Sequence, residues 1–389
     1  MQSYFLVLNA GSSSLKYSLF EKKGLREVLK GHVDGIGLDR CCLKITCGGE
    51  KTETKFKADD HLHAVLKAFQ SLKDKNVLED FKQIKKVGHR VVHGGEKFIK
   101  PTKITKAVLN KIKSLAILAP LHNPPAIAGI LAVKKILPRV PQIAVFDTAF
   151  HHTIPKEAFL YGLPYQLYQE MGIRKYGFHG ISHQYVATLA RKALGKKHNE
   201  RNEIITCHLG NGSSITAVKN GKSVDTSMGF TPLDGLIMGT RSGEMDPEIV
   251  LFLLNQKHYT NGELEKILQK QSGLKGITGS SDVRELHERA LKKDKQATLA
   301  LDMLAYRIAK FIGAYAAALH GLDAIVFTGG IGENAYYLRK KACSYLNHLG
   351  VAIDSHANRK NMTYINANKS KVNVLVLHTD EARGIAEQL

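Results

Sequence analysis

Two stretches with the same pattern decide the fold: Asn9-Ala-Gly-Ser-Ser-Ser-Leu-Lys-Tyr-Ser-Leu19 and Leu209-Gly-Asn-Gly-Ser-Ser-Ile-Thr-Ala-Val-Lys219. Each is typical of a β-strand, a turn of small residues and a second strand, and the two align at an offset of about 200 residues. A duplicated domain with a cleft between its copies would produce this repeat. Turns of glycine and serine between strands are also common in unrelated proteins, so the repeat alone leaves both interpretations open.

The surrounding sequence alternates short apolar runs with helical patterns, which is typical of α/β proteins. The predicted strands are 4–9, 16–20, 86–89, 142–146, 204–209, 214–218, 324–328 and 372–377. The predicted helices are 64–71, 106–118, 124–137, 183–194, 246–255, 282–292 and 295–319.

Composition narrows the class of protein. The 389 residues are 43% hydrophobic and 23% charged, which excludes a disordered chain and a small disulfide-stapled scaffold. Five cysteines without a CxxC pair argue against a disulfide framework and indicate a reduced, cytoplasmic setting. No run of 18 apolar residues predicts a membrane helix.

The abnormal quantity is charge. Lys and Arg number 56 against 35 Asp and Glu, a formal net charge of +21. Nucleic acid, an anionic membrane surface and small anionic substrates are therefore all candidate partners.

Three glycine-rich turns offer backbone N–H groups that can hold phosphate: Gly11 to Ser14, Gly210 to Ser214, and Phe327 to Asn334. None matches the P-loop, and Gly330-x-Gly332 does not extend to GxGxxG. Each turn is a weak signal, but three in one chain favour a nucleotide site.

Several charged residues lie between other glycines or at the ends of predicted strands. Arg90 ends an apolar strand and Arg241 lies in a glycine-rich loop, where a guanidinium can bind an oxyanion with two hydrogen bonds. Asp147 follows a predicted strand, the place where α/β ligand sites gather. His179 and His183 have the spacing of a helical zinc pair, but Gly180 is a poor helix former, so zinc is disfavoured.

Read in order, seven motifs make the chain resemble the acetate kinase family over nearly its whole length. They are Val7 to Lys16, Gly88 to Gly95, Phe146 to Phe150, Gly177 to His183, His208 to Gly212, Gly239 to Gly243 and Gly330 to Asn334.

The resemblance implies an α/β fold of duplicated actin-like (ribonuclease H-like) domains with an interdomain catalytic cleft. The implied domains are 1–148 with 375–389, and 149–374. It also implies a homodimer that uses ATP, with magnesium or manganese, to phosphorylate acetate reversibly by direct in-line transfer. The small-molecule substrates are acetate, acetyl phosphate, ATP and ADP, with neither nucleic acid nor membrane as a partner.

Roles follow from the matching positions. The resemblance assigns catalysis to Arg90, His122, Asp147, His179 and Arg241. It assigns contacts with the substrate, mainly its methyl group, to Arg90, Val92, Leu121, Phe178 and Pro232. It assigns metal binding to Asn9 and to Glu381, the one Glu kept where the family has an Asn-Glu-Glu run.

The implied ATP contacts are Lys16, His208, Leu209, Gly210, Asn211, Gly212, Asp282, Val283, Arg284, Gly330, Ile331, Gly332, Glu333 and Asn334. The carboxylate of the substrate is already ionised at neutral pH, so its attack needs no strong general base. We therefore expect Asp147 to position magnesium or the substrate rather than accept a proton.

Three alternatives remain. Val92 favours acetate, but one methylene changes binding by only about 1 to 3 kcal/mol, so a propionate or other short-chain carboxylate kinase is possible. An actin-like nucleotide switch would keep the glycine turns but has no use for Arg90, His179 and Arg241 together. A nucleic-acid binder would use the positive charge, although the lysines form no stripe interleaved with aromatic residues.

Overall fold

The computed structural model describes residues 2–196, 200 and 202–389, and the chain divides into two compact units. Unit 1 runs to Phe150 and takes in Asp380–Leu389, and unit 2 is His151–Thr379. The domains expected from the sequence, 1–148 with 375–389 and 149–374, stay a prediction.

Unit 1 is built on an eight-stranded sheet. Its strands are β1 (Tyr4–Ala10), β2 (Ser14–Glu21), β3 (Glu27–Asp34), β4 (Cys41–Cys47), β5 (Glu50–Phe56), β6 (Ile84–Val91), β7 (Thr102–Lys103) and β8 (Gln142–Phe146). They lie in the order β5-β4-β3-β2-β1-β6-β8-β7. Its first three helices are α1 (His61–Asp74), α2 (Lys106–Ser114) and α3 (Asn123–Ile136).

Unit 2 has a five-stranded sheet in the order β11-β10-β9-β12-β13, formed by β9 (Glu203–Leu209), β10 (Ser213–Lys219), β11 (Lys222–Thr226), β12 (Ala324–Thr328) and β13 (Asn373–Val376). Its helices are α4 (Lys156–Phe159), α5 (Tyr165–Met171), α6 (Gly180–Ala193), α7 (Glu248–Gln256), α8 (Asn261–Lys266), α9 (Gly273–Thr278), α10 (Val283–Leu291), α11 (Lys295–Leu319), α12 (Gly329–Asn334), α13 (Tyr336–Ser344) and α14 (Ser355–Arg359). The chain ends with α15 (Glu381–Ala386), which belongs to unit 1.

The two sheets share one topology. In unit 1, β3, β2 and β1 are antiparallel neighbours, and β1, β6 and β8 are parallel ones. In unit 2, β11, β10 and β9 are antiparallel, and β9, β12 and β13 are parallel. The predicted duplication is therefore confirmed, with the two repeated stretches forming the hairpins β1–β2 and β9–β10.

Helix α11 shows how the sequence builds the core of unit 2. Asp294 caps its first turn by accepting hydrogen bonds from the backbone of Gln296 and Ala297. Residues spaced three or four apart then face the sheet, and Leu301, Leu304, Ile308 and Ile312 are buried there. Strand β9 is buried along its whole length, so both of its faces are covered.

Helix α15 packs on the sheet of unit 1 through a close approach to β6. A Cβ atom on Gly88 would lie only 2.7 Å from the Ile385 side chain, so the approach requires glycine at position 88. This contact brings the beginning of α15 back to unit 1.

All five cysteines are described and are free. Within the described ranges, no helix combines the length and the apolar character that a membrane crossing needs.

Candidate active site

In unit 1, three oxygen-bearing side chains converge on Arg90. Its Nη2 and Nε donate to the two carboxylate oxygens of Asp147, at 2.5 and 3.2 Å. Its Nη1 donates to Asn9 Oδ1 at 3.3 Å, and its Nε lies 3.7 Å from Glu381 Oε2. One guanidinium therefore holds an amide and two carboxylates in a single cluster.

The topology of unit 1 explains this cluster. Asn9 is near the end of β1, Arg90 is near the end of β6, and Asp147 follows β8. Because these strands are parallel neighbours, their carboxyl ends meet at one edge of the sheet. Glu381 is added by the first turn of α15, whose beginning is capped by Asp380.

Charge balance in the cluster favours a protonated arginine. Burial disfavours the charged guanidinium, but attraction to Asp147 and Glu381 outweighs it and raises the pKa of Arg90 above its ordinary value. Burial also raises the pKa of the Asp147 carboxyl, and the adjacent Arg90 opposes that rise. Asp147 is 1% exposed and Arg90 18%, so solvent screens the pair weakly.

The oxygens around Arg90 suit a hard cation. Magnesium prefers carboxylate and amide oxygens, and Asn9, Asp147 and Glu381 supply both kinds. Among the residues that the structure describes, no group of three or more His, Cys, Asp or Glu could hold a metal ion.

The other predicted residues of unit 1 lie in varied settings. Lys16 is exposed on β2, directly across from Asn9. His122 is the half-buried residue before α3, and Leu121 beside it is exposed. Val92 is buried just after β6.

In unit 2, His179 and Arg241 meet at Gly212. A Cβ atom on Gly212 would lie 3.5 Å from Arg241 Nη1 and 3.5 Å from both Cε1 and Nε2 of His179. Glycine at this turn therefore leaves open the space between the two side chains. An imidazole nitrogen and a guanidinium facing one small space are suited to a phosphoryl group.

His179 is held in an uncommon backbone conformation. It precedes α6 with a φ of 55°, in the left-handed region that residues other than glycine rarely adopt. Its Nδ1 lies 2.9 Å from Ser214 Oγ, and its ring stacks on that of His208 at 4.3 Å. Strained residues of this kind cluster at functional sites.

Arg241 has no carboxylate within ion-pair distance among the described residues. Its Nη1 donates to the Pro232 carbonyl at 3.1 Å and lies 3.7 Å from the Met238 sulfur. Burial lowers the pKa of Arg241, because no neighbouring anion offsets the loss of water. A half-buried cation without a counter-charge is suited to an anionic ligand.

A pocket of about 910 Å³ lies beside the glycine turns of unit 2. Eight of the predicted ATP contacts line it: Gly210, Asn211, Asp282, Val283, Arg284, Gly330, Ile331 and Asn334. The turn after β9 and the short helix α12 after β12 reach it because these strands are parallel neighbours. Its volume is within the range of sites for drug-sized ligands.

Five further residues line this pocket, and sequence reasoning did not single them out: Ser281, His287, Glu288, Ala335 and Tyr337. The rings of His287 and Tyr337 stack with centroids 3.5 Å apart. Helical spacing could have found two of them, since His287 and Glu288 lie three and four residues after Arg284 on the predicted helix.

Other predicted residues of unit 2 lie away from the pocket lining. His208 and Leu209 are buried at the end of β9, and Phe178, which precedes His179 in the chain, is also buried. Gly332 is buried in α12, and Glu333 accepts hydrogen bonds from the Gly329 backbone and His378. Pro232 is half-buried and presents its carbonyl to Arg241.

Two copies of one sheet topology, with a pocket of about 910 Å³ and the His179–Arg241 pair in the second copy, are typical of the actin-like phosphotransferases. A model of the "Acetokinase family" matches residues 4–387, and the chain belongs to that family.

Individual relatives agree with this assignment. An acetate kinase from Carboxydothermus hydrogenoformans is 49% identical over 388 residues, covering 98% of this chain and 97% of that protein. The crystal structure of Porphyromonas gingivalis acetate kinase is 43% identical with a TM-score of 0.92, covering 99% of this chain and 98% of that one. A propionate kinase from Francisella tularensis is 42% identical with a TM-score of 0.94 and the same coverage.

Proposed function

We propose that this protein is an acetate kinase, which transfers the γ-phosphoryl group of ATP to acetate and also catalyses the reverse reaction. The observation that carries the proposal is membership of the acetokinase family along residues 4–387, with relatives named acetate kinase at 49% identity. The two arginine sites and the nucleotide pocket supply the groups that this reaction needs.

The reaction forms a bond between a carboxylate oxygen of acetate and the γ-phosphorus, and it breaks the bond from that phosphorus to the bridging oxygen of ADP. Every reactant is an anion, so the protein must neutralise charge and align the two oxygens. Arg241 and His179 are suited to bind the moving phosphoryl group. The 910 Å³ pocket is suited to the nucleotide, with Gly210 to Gly212 and Gly330 to Asn334 nearest its phosphates.

Arg90 is the proposed partner of the acetate carboxylate. Its guanidinium already holds Asp147 with two hydrogen bonds, so Asp147 keeps the arginine oriented. A carboxylate nucleophile carries no proton to remove, and Asp147 therefore acts as a positioning group. His122, which follows the exposed Leu121 in the chain, is also assigned to the acetate side of the active site.

Asn9 and Glu381, with Asp147 close by, would hold Mg²⁺ or Mn²⁺. When bound, such an ion neutralises negative charge on the phosphate oxygens. The donor atoms are amide and carboxylate oxygens, which such hard cations prefer.

Acetate is the proposed acceptor, with propionate as the alternative that one solved relative favours by its name. Val92, Leu121, Phe178 and Pro232 are assigned to the substrate methyl group. Since one methylene is worth only about 1 to 3 kcal/mol in an apolar pocket, some propionate turnover is expected.

We also propose that the protein works as a cytoplasmic homodimer. Free cysteines are typical of a reducing compartment. Helix α7, which the structure describes in full, buries none of its residues although Ile249, Leu251 and Phe252 are large and apolar. An apolar helix exposed in this way is typical of a surface that a second subunit covers.

The test is formation of acyl phosphate, trapped as the hydroxamate, from ATP, magnesium and acetate. Hydroxamate that depends on all three is expected, with a higher kcat/KM for acetate than for propionate or butyrate. A higher value for propionate would favour the alternative, and no acyl phosphate with any of the acids would reject the proposed reaction.

A further inference from the structure

A chain of hydrogen bonds runs from β9 through the interior of unit 2 to His179. Thr206 Oγ1 lies 2.7 Å from His183 Nδ1, and His183 Nε2 lies 2.7 Å from Ser214 Oγ. Ser214 Oγ then lies 2.9 Å from His179 Nδ1. Two hydroxyls and one imidazole therefore connect the centre of the sheet to the ring that faces Gly212.

The middle of this chain is closed to solvent. Thr206, His183 and Ser214 are each 0% exposed. Burial holds the pKa of His183 well below its usual range, so this ring is neutral. A neutral imidazole has one donor nitrogen and one acceptor nitrogen, so the proton on His183 sets the direction of every bond in the chain.

Two directions are possible, and the distances distinguish them. If Thr206 donates to His183, then His183 donates to Ser214 and Ser214 donates to His179 Nδ1. The opposite direction requires Thr206 to donate elsewhere, and the acceptor that the structure offers is the Thr216 carbonyl at 3.4 Å. That distance is long for a hydroxyl donor, whereas 2.7 Å is typical. The first direction is therefore favoured.

We propose that Thr206, His183 and Ser214 are positioning residues that hold His179 as the neutral tautomer with its proton on Nε2. His179 Nε2 lies on the side of Gly212 and Arg241, so the N–H is presented to the space assigned to the phosphoryl group. The catalytic consequence rests on the proposed function, whereas the tautomer itself is a property of the protein without substrate.

The neighbours of His179 make a neutral donor useful. The titratable and charged groups facing its ring include His183 from α6, His208 from β9 and Arg241 from the loop after β11. A second cation beside Arg241 would be repelled in a site shielded from water. The fixed tautomer supplies a hydrogen-bond donor without adding that charge, and supplies it at any pH where the ring is neutral.

The test is the tautomer of His179, read from the ¹⁵N chemical shifts of its two ring nitrogens in histidine-labelled protein at pH 8 without substrate. The signals are assigned by their loss in His179→Gln. The Nε2-protonated form is expected. A neutral Nδ1-protonated ring or an imidazolium at this pH would overturn the proposal. This measurement needs no turnover, so its failure is distinct from failure of the proposed reaction.

Thr206→Val tests the far end of the chain, since it removes the first donor and keeps the shape of the side chain. We expect a mixture of His179 tautomers and, with about half of the molecules competent, a fall of about twofold in kcat. Thr216→Val is the matched control, because Thr216 pairs with Thr206 in the sheet and its hydroxyl bonds Thr226 instead. An unchanged His179 tautomer in Thr206→Val, or the same mixture in Thr216→Val, would contradict the relay.

Ser214→Ala removes the last donor, so His179 Nδ1 loses the hydrogen bond that keeps it unprotonated. We expect a mixture of His179 tautomers in the ¹⁵N spectrum and a fall of about twofold in kcat, as in Thr206→Val. An unchanged His179 tautomer in Ser214→Ala would count against the proposed role of Ser214.

Discussion

Each unit places one half-buried arginine, Arg90 or Arg241, in its part of the candidate site, and the two have opposite surroundings. Arg90 in unit 1 is balanced by Asp147 and Glu381, which raise its pKa, whereas Arg241 in unit 2 has no carboxylate nearby among the described residues and its pKa is lowered by burial. An arginine already paired stabilises the fold as well as the site. An arginine without a counter-charge is available to an anionic ligand, but burying its unpaired charge lowers the free energy of unfolding.

This difference predicts that Arg90→Ala has the largest combined effect. Removing the guanidinium leaves the buried Asp147 carboxylate without its partner, which should lower the free energy of unfolding by about 3 to 5 kcal/mol. Turnover should also fall by about two orders of magnitude or more. Denaturant unfolding and the hydroxamate assay measure the two effects.

The double variant Arg90→Ala/Asp147→Asn separates the causes. Removing the orphaned charge should restore part of the stability and none of the turnover. Arg26→Ala is the control for an exposed arginine, since Arg26 pairs with Glu21 at the surface, and a change within about 0.5 kcal/mol is expected. A stability loss in Arg90→Ala as small as in this control would remove the contrast between the arginines.

Arg241→Ala should lose turnover without losing much stability. Deleting one preorganised donor to a phosphoryl group costs about 3 kcal/mol of barrier, or about two orders of magnitude in kcat. The free energy of unfolding should stay within about 1 kcal/mol of the parent, because no carboxylate loses a partner. Arg241→Lys should recover little turnover, since lysine lacks the planar fork. Near-normal kcat in Arg241→Ala would reject its assignment.

Some strands of the two units could be predicted from the sequence and others could not. The hairpins β1–β2 and β9–β10 were predicted because their apolar strands flank small-residue turns, and their repeat indicated the duplication that the matching sheet orders confirm. Strand β5 was not predicted, because six of its seven residues are exposed and it has no apolar face. Strand β3 was also not predicted, although its residues alternate between exposed and buried. This period of two is a sequence signal that could have identified the strand.

For the site, the glycine-flanked arginines and the glycine turns could be recognised as sequence motifs. The charged partners of each arginine, and so the direction of its pKa shift, could not be predicted. Pairing of Arg90 with Asp147 depends on β6 and β8 being neighbours, which the chain order does not specify. Likewise the stack of His287 on Tyr337 joins residues of two helices, α10 and α13, that only tertiary packing brings together. The predicted roles of individual site residues remain predictions.

If unit 1 binds the carboxylate substrate, Val92→Ala should change substrate preference without changing the KM for ATP. The lost methyl groups make room for one more methylene, so kcat/KM for propionate relative to acetate should rise about tenfold or more. Val91→Ala is the matched control, because Val91 lies one residue earlier in the core of unit 1 and should reduce stability but not preference. An unchanged preference in Val92→Ala would remove Val92 from the substrate site.

The smallest effect is expected in the nucleotide pocket of unit 2. Tyr337 stacks on His287 and donates to the Val283 carbonyl, so Tyr337→Ala removes an aromatic wall from the pocket. A loss of about 1 kcal/mol of nucleotide binding corresponds to a rise of about fivefold in the KM for ATP. The KM for acetate should not change. Initial rates with each substrate varied in turn measure both constants.

Tyr345→Ala is the control for this change, because Tyr345 follows the same helix and meets the Tyr306 ring edge to face, outside the pocket lining. It should leave both KM values unaltered. An equal rise in the KM for acetate and for ATP in Tyr337→Ala would mean that the variant disturbs more than the nucleotide pocket. The assignment of Tyr337 to the nucleotide pocket alone would then fail.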